Sequence, residues 1–176
     1  MRAGEYYIDD PTGTLYIIPP VGAGPPAQWP DGAVYVSKNT TGLTLENVSH
    51  VELRGLTVHA AVHSGVAASG VDSVVLNNLT VVGHGAHGIE MDGRNSGVVN
   101  SLVHSVGGSG VRVTGGDTYT MTYGNMFVKH SHIHHVGLWY ARQTQRFIPP
   151  ASALYVLLSS CNLDLLFLRD WRVHYR

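Results

Sequence analysis

The sequence predicts an all-β fold, a right-handed parallel β-helix (a solenoid) of about four to five coils, and two observations lead to that prediction. The first is a repeat of about 23 residues, in which glycines recur at Gly42, Gly65, Gly88 and Gly110. The second is the alternation of apolar and polar side chains within each repeat, which is typical of short strands with one buried face. A fixed period of this size indicates one supersecondary unit stacked on copies of itself.

Each repeat contains three short strands separated by Gly, Asn, Ser and Asp, and it leaves no room for a helix. Because equivalent residues of successive coils stack, we expect three apolar ladders inside the solenoid. The predicted ladders are Leu53, Leu76 and Val99; Val66, Ile89 and Val111; and Leu56, Leu79 and Leu102. A leucine-rich repeat has a similar period, but its L-x-x-L-x-L-x-x-N framework is absent from this sequence.

Two segments flank the coils, which occupy residues 42–150. Residues 1–41 hold two β-prone runs around a DDPTG turn, and they predict an N-terminal hairpin followed by a Pro/Gly loop. Residues 151–176 leave the repeat, so this atypical tail either caps the last coil or marks a partial copy of a longer protein. After Thr114 about seven extra residues predict a protruding loop, and the pattern of Val103 resumes thirty residues later at Ile133.

Composition excludes several classes of function. The chain has 176 residues and a net charge of −1, with 13% charged residues, so no basic surface points to nucleic acid. The single Cys161 excludes an intramolecular disulfide and a zinc site built on several cysteines. No run of 18 apolar residues predicts a membrane span, and no apolar signal segment is visible near the first residues.

Three stretches carry a resemblance to known proteins: GEYYIDDPTGTLYIIPP, GLTLENVSHVELRGLTV and GNMFVKHSHIHHVGLW. They are similar to segments of right-handed β-helix proteins of the pectin-lyase-like superfamily, especially its carbohydrate-active, glycoside-hydrolase-like members. The resemblance spans roughly residues 4–150. It implies a polysaccharide or oligosaccharide partner and an extracellular or cell-surface location. It is less specific for activity, because this fold hosts lyases, hydrolases, epimerases and adhesins.

Asp92 and Asp117 are the predicted acid and base, because glycoside cleavage usually needs two carboxyl groups. Asp92 ends the run Ile89–Asp92 and faces outward by alternation, while Asp117 lies at the mouth of the long loop. The alternative is that both aspartates cap turns. Glu90 and Arg112 are predicted on the same outer face of adjacent coils. They form either a cross-coil ion pair or a binding site for an anionic sugar.

The histidines form a second set of candidates. His104 and His134 are predicted catalytic bases near neutral pH, and His87 and His132 are predicted substrate ligands. Alternation places His130, His132 and His134 on one strand face, where they could chelate a divalent metal. No metal motif supports such a site, and no cofactor is predicted. The alternative is hydrogen-bonded stacking at the corners of the coils.

Aromatic residues beside the long loop complete the predicted binding set. Tyr119 and Trp139 could stack on sugar rings, and Arg142 could hold an anionic sugar. The sequence therefore predicts a carbohydrate-active β-helix that binds a polysaccharide, with cleavage by hydrolysis or elimination as the finer hypothesis. Its groove would follow the face of Glu90 and Asp92, near the histidines. The alternative is a non-catalytic structural or surface module, or an inactive truncated product.

Overall fold

The computed structural model describes residues 5–25, 29, 35–116, 120, 122–138, 166–168 and 171–172, the last two ranges as backbone alone. The chain divides into two compact units, Met1–Val36 and Ser37–Arg176. The first unit contains the predicted hairpin, formed by the antiparallel strands β1 (Tyr6–Asp9) and β2 (Thr14–Ile17). Tyr7 pairs with Tyr16 across it, and their ring centroids are 6.3 Å apart.

The second unit is the predicted solenoid, and its strands come in four triplets. The strands are β3 (Thr41–Glu46), β4 (Glu52–Arg54), β5 (Thr57–His59), β6 (Ser64–Asp72), β7 (Val75–Asn77), β8 (Thr80–Val82), β9 (His87–Arg94), β10 (Gly97–Val99), β11 (Leu102–Val106), β12 (Val111–Gly115), β13 (Phe127–Lys129) and β14 (Ser131–Val136). The chain therefore makes about three full turns from β3 to β12, slightly fewer than the four to five coils predicted. The described residues contain no helix.

Equivalent strands of successive coils pair in parallel and build three sheets. The first sheet is β3-β6-β9-β12, the second β4-β7-β10-β13 and the third β5-β8-β11-β14. In the tail, β15 (Leu166–Leu168) pairs antiparallel with β14, and β16 (Trp171–Arg172) pairs antiparallel with β13. These two strands lie at the last edges of the third and second sheets.

Stacked apolar side chains fill the interior. The ladder of Val66, Ile89 and Val111 is confirmed, and all three residues are fully buried. The other two ladders were predicted one residue out of register at the third coil. Leu76 stacks on Val98 rather than Val99. The reason is that the coil from Leu76 to Val98 is one residue shorter than the coil from Leu53 to Leu76.

The third predicted ladder, of Leu56, Leu79 and Leu102, fails for the same reason. Leu102 pairs with Thr80, and Leu56 is 41% exposed, whereas Leu79 is buried. The thirty-residue step across the long loop is confirmed, because Val103 pairs with Ile133. This loop connects β12 to β13.

The recurring glycines have a steric cause. A Cβ atom on Gly65 would lie 2.6 Å from the carbonyl oxygen of Gly88 and 2.6 Å from Cγ1 of Val81. Such distances are shorter than real Cβ atoms tolerate, so only glycine lets the coils stack here. The column formed by Gly42, Gly65, Gly88 and Gly110, where the first sheet begins, is called the glycine corner below.

Candidate functional site

The outer face of the first sheet carries a row of paired residues. Thr44, Ala67, Glu90 and Arg112 follow one another in register from β3 to β12. Their neighbours in the strands point inward because side chains alternate between the two faces. Glu90 and Arg112 therefore lie side by side on an accessible surface, as their spacing predicts.

Glu90 is the centre of a polar cluster. Its Oε2 accepts a hydrogen bond from the Ser64 hydroxyl at 2.7 Å. Its Oε1 lies 3.3 Å from Nη1 of Arg112 and 3.8 Å from Nε2 of His87. The glutamate side chain is 26% exposed, so the cluster is partly shielded from water while one side stays open. Both oxygens of this carboxyl group therefore have a polar partner from a neighbouring coil.

Ser64 and His63 belong to this cluster although the sequence did not single them out. Nδ1 of His63 lies 2.8 Å from the Ser64 hydroxyl. Ser64 is buried, whereas His63 is exposed at the surface of the corner. The available signal was that Ser64 and His87 each precede a repeat glycine at the same phase of the coil. Nothing in the repeat marks His63.

His87 faces Glu90 and also touches His63, at 5.5 Å between ring centroids. Burial is the main cause that lowers the pKa of His87; the nearby Glu90 carboxylate raises it, and His63 and Arg112 lower it further. Its Nδ1 is buried without a hydrogen-bond partner among the described residues. The nitrogen of His87 that faces the cluster is therefore Nε2, 3.8 Å from Oε1 of Glu90.

Asp92 lies on the same face as Glu90, two residues further along β9. Its Oδ1 accepts a hydrogen bond from the Thr114 hydroxyl at 2.6 Å, and its side chain is exposed. A strand rises about 3.3 Å per residue, so the two Cα atoms are about 7 Å apart. Asp117, the predicted partner of Asp92, lies outside the described residues, as do Tyr119, Trp139 and Arg142.

The other predicted histidines lie on the third sheet and not on the face of Glu90. His104 of β11 pairs with His134 of β14, and their rings stack at 5.0 Å with a 2° interplanar angle. His132 lies 4.5 Å from His134 between ring centroids. The structure thus divides the predicted groove between two sheets. Catalytic roles for His104 and His134, and a binding role for His132, stay predictions.

His130 lies before the strand that holds His132 and His134, so the strand alternation used to predict its face does not apply to it. His130 has a left-handed φ of 49° at the corner before β14, which interrupts the alternation. Within the described ranges, no three His, Cys, Asp or Glu side chains are placed to hold a metal ion.

His84 has a structural role in the glycine corner. The backbone N–H of Ala61 donates to Nδ1 of His84 at 3.1 Å, so this nitrogen carries no proton. Nε2 then donates to the carbonyl of Val58 at 3.1 Å. Burial lowers the pKa of His84, outweighing the hydrogen bond to Val58, which raises it. The ring is therefore neutral and joins two coils.

The carboxylates of Asp72 and Glu52 each lie at the end of a ladder of asparagine side chains that runs from coil to coil. In the first ladder, Asn125 donates to Asn95 at 2.9 Å and Asn95 donates to Asp72 at 3.1 Å. In the second, Asn100 donates to Asn77 at 3.2 Å and Asn77 donates to Glu52 at 2.8 Å. The first is called the asparagine ladder below. Glu90 also contacts both neighbouring coils, through Ser64 of β6 and Arg112 of β12, but its partners are titratable or hydroxyl side chains and not an asparagine ladder.

Parallel strands stacked in three sheets, with a polar cluster on one outer face, define a β-solenoid protein with a surface site. The chain belongs to the right-handed β-helix family, because the family model described as "Right handed beta helix region" matches residues 41–143. Searches of curated proteins and of solved structures gave no significant match. Among the residues that the structure describes, no helix has the length and apolar character needed to span a bilayer.

Proposed function

We propose that the outer face of the first sheet binds a polysaccharide, and that Glu90 and Asp92 are the carboxyl pair that cleaves it. One observation carries this proposal: two carboxylates project from the same face of β9, with Cα atoms about 7 Å apart. Two side chains at this spacing on one strand face can bring their carboxyl groups to the separation of about 5 to 9.5 Å that glycosidases use. The resemblance of the sequence to carbohydrate-active β-helix proteins supports the same class of partner.

The surroundings of the two carboxylates assign different tasks to them. Arg112 places a positive charge beside the Glu90 carboxylate, and Ser64 donates a hydrogen bond to it. We assign Glu90 the role of base or nucleophile. Asp92 accepts a hydrogen bond from the Thr114 hydroxyl and is more exposed, and in this proposal it takes the second role, protonation of the leaving oxygen. Arg112 would in addition attract a uronate carboxylate, and His87 would face the bound sugar.

Binding is tested by affinity electrophoresis in gels that contain neutral or uronate polysaccharides. We expect the wild-type chain to be slowed by at least one of them, and the Arg112→Gln variant to be slowed less. The control is Arg54→Gln, which breaks the Arg54–Glu52 ion pair on the second sheet, where the distance is 2.7 Å. If both variants lose binding equally, the first sheet is not the binding face.

Cleavage is tested by the release of reducing ends from the retained polysaccharide. Glu90→Gln and Asp92→Asn should each lower kcat by roughly 10²-fold or more, because each removes one half of the acid–base pair. Glu52→Gln should leave it unchanged. Products that absorb as unsaturated uronates would indicate elimination and contradict the hydrolytic roles. A chain that no polysaccharide retards would be a structural module.

A further inference from the structure

We infer that Ser64 and His63 form a proton relay between Glu90 and solvent, an inference that rests on the role of Glu90 in the proposed function. The three groups form one continuous chain of hydrogen bonds. His63 Nδ1 lies 2.8 Å from the Ser64 hydroxyl, which lies 2.7 Å from Oε2 of Glu90. His63 is exposed, Ser64 is buried and Glu90 is partly buried, so the chain leads from water to the candidate site.

Three other buried serines have a different geometry from Ser64. The hydroxyls of Ser96, Ser101 and Ser131 donate to backbone carbonyls two residues earlier in the chain, at 2.7, 2.8 and 2.9 Å. Those serines satisfy the backbone at the corners of the coils. The Ser64 hydroxyl instead joins two titratable side chains.

The positions of the protons follow from the donor count. A serine hydroxyl has one proton, and in Ser64 that proton points to the Glu90 carboxylate. The Ser64 oxygen must therefore accept the proton of His63 Nδ1. When Glu90 has taken a proton from an attacking water, the exposed ring of His63 first exchanges its Nδ1 proton for one on Nε2 through solvent. Glu90 then donates to Ser64, Ser64 donates to the unprotonated Nδ1, and Nε2 releases its proton to solvent, which restores the resting arrangement. One proton enters, one leaves, and Glu90 is again ionised.

Among the described residues, few charged or titratable groups surround the three members of the relay. Arg112 from β12 and His87 from β9 face the carboxylate, and His87 also faces His63. On the other side, Thr41 of β3 pairs with Ser64 and adds no titratable group. His84, which lies inside the corner at Gly65, is held neutral by its two backbone hydrogen bonds.

The test is the tautomer of His63, read from long-range ¹H–¹⁵N correlations of imidazole nitrogens at a pH where the ring is neutral. In the wild-type chain we expect the proton on Nδ1, because that nitrogen must donate to Ser64. Ser64→Ala should return the proton to Nε2. Ser64→Thr should restore the Nδ1 form, since Thr41 shows that threonine fits this position of the coil.

A second pair of residues provides the matched control. His104 Nδ1 lies 3.0 Å from the hydroxyl of Ser105, with the same sequence spacing, and no carboxylate among the described residues hydrogen-bonds to Ser105. Ser105→Ala should not alter the tautomer of His63. If His63 carries its proton on Nε2 in the wild-type chain, or if Ser64→Ala changes nothing, the relay is wrong.

Kinetics separate the relay from the proposed function. On a cleaved polysaccharide, Ser64→Ala should lower kcat about tenfold with little change in KM, and Ser64→Thr should recover most of it. An unchanged kcat overturns the relay even if cleavage is confirmed. The expected tautomers together with no cleavage of any polysaccharide support the hydrogen-bonded chain and contradict the proposed function alone.

Discussion

The glycine corner and the asparagine ladder both stack one coil on the next, but the corner does so by close backbone approach and the ladder by side-chain hydrogen bonds. In the ladder, side chains of Asn125, Asn95 and Asp72 reach from coil to coil, and Arg94 closes the end at 3.0 Å from Asp72. In the glycine corner the coils approach closely at the backbone, since a Cβ atom on Gly42, Gly65 or Gly88 would meet the carbonyl oxygen of the next glycine.

The difference explains where a site can form. Hydrogen bonds from Asn95 and Ser73, and then the charge of Arg94, hold the pKa of the Asp72 carboxyl below its ordinary value. The Asp72 carboxylate therefore already binds groups that hold neighbouring coils together. Beside the glycine corner, the buried Ser64 and the partly buried His87 meet Glu90, whose own side chain stays 26% exposed and open to a ligand.

The largest effect is expected for Gly65→Ala in the glycine corner. The new Cβ would lie 2.6 Å from a backbone oxygen that cannot move without separating the coils. Overpacking of this kind lowers the free energy of unfolding by about 2–4 kcal/mol. Chemical denaturation measures it.

Gly83→Ala is the control for that measurement. Gly83 has a left-handed φ of 71° and open space around its Cβ position, so alanine there meets backbone strain without a clash. We expect a cost of about 1 kcal/mol. Equal losses for the two variants would show that close stacking does not explain the repeat.

A change at His84 should alter both the stability of the glycine corner and its response to pH. Because the folded pKa of His84 is lowered, the unfolded chain binds more protons, and stability falls as the pH drops below the unfolded value of about 6.5. His84→Gln should remove part of this fall, at a cost of roughly 1–3 kcal/mol at neutral pH from imperfect hydrogen bonds. Denaturation from pH 7 down to about pH 5 measures both. A profile as steep as that of the wild-type chain would place the acid sensitivity elsewhere, for example at His87.

The sequence predicted the fold well because glycine and the alternating apolar residues report directly on packing. The glycine period marks the corner where Gly65 has no room for a Cβ atom, and the ladder through Ile89 follows from the same period. The register errors at Val99 and Leu102 came from a coil one residue shorter, which a fixed period cannot show.

The site was harder to predict because its geometry depends on stacking between coils. The pairing of Glu90 with Arg112 followed from their spacing. The contact of Ser64 with Glu90, 26 residues away, depends on how the corner places the serine against the next coil. The prediction for His130 has the same weakness, since a left-handed residue breaks the alternation on which the prediction relied.

A moderate effect is expected in the asparagine ladder at Asn125. Asn125 has a left-handed φ of 47°, and its side chain donates to Asn95. Asn125→Gly keeps the backbone and removes one hydrogen bond, which should lower the free energy of unfolding by about 0.5–1 kcal/mol. Asn125→Ala should cost about 1 kcal/mol more, because alanine tolerates this φ poorly. If glycine is as costly as alanine, the side chain matters more than the backbone.

The smallest effect is expected for Glu52→Gln, at the end of the second ladder. Hydrogen bonds from Arg54 and Asn77 lower the pKa of the Glu52 carboxyl, so its contribution is present above the unfolded pKa and is lost as the pH falls through the folded one. Glutamine keeps an oxygen for both donors but cannot titrate. The variant should therefore flatten the acid end of the stability profile slightly, and it should bind polysaccharide as the wild-type chain does, since an exposed ion pair adds little. A loss of binding as large as that of Arg112→Gln would remove the distinction between a carboxylate that serves the fold and one that serves the site.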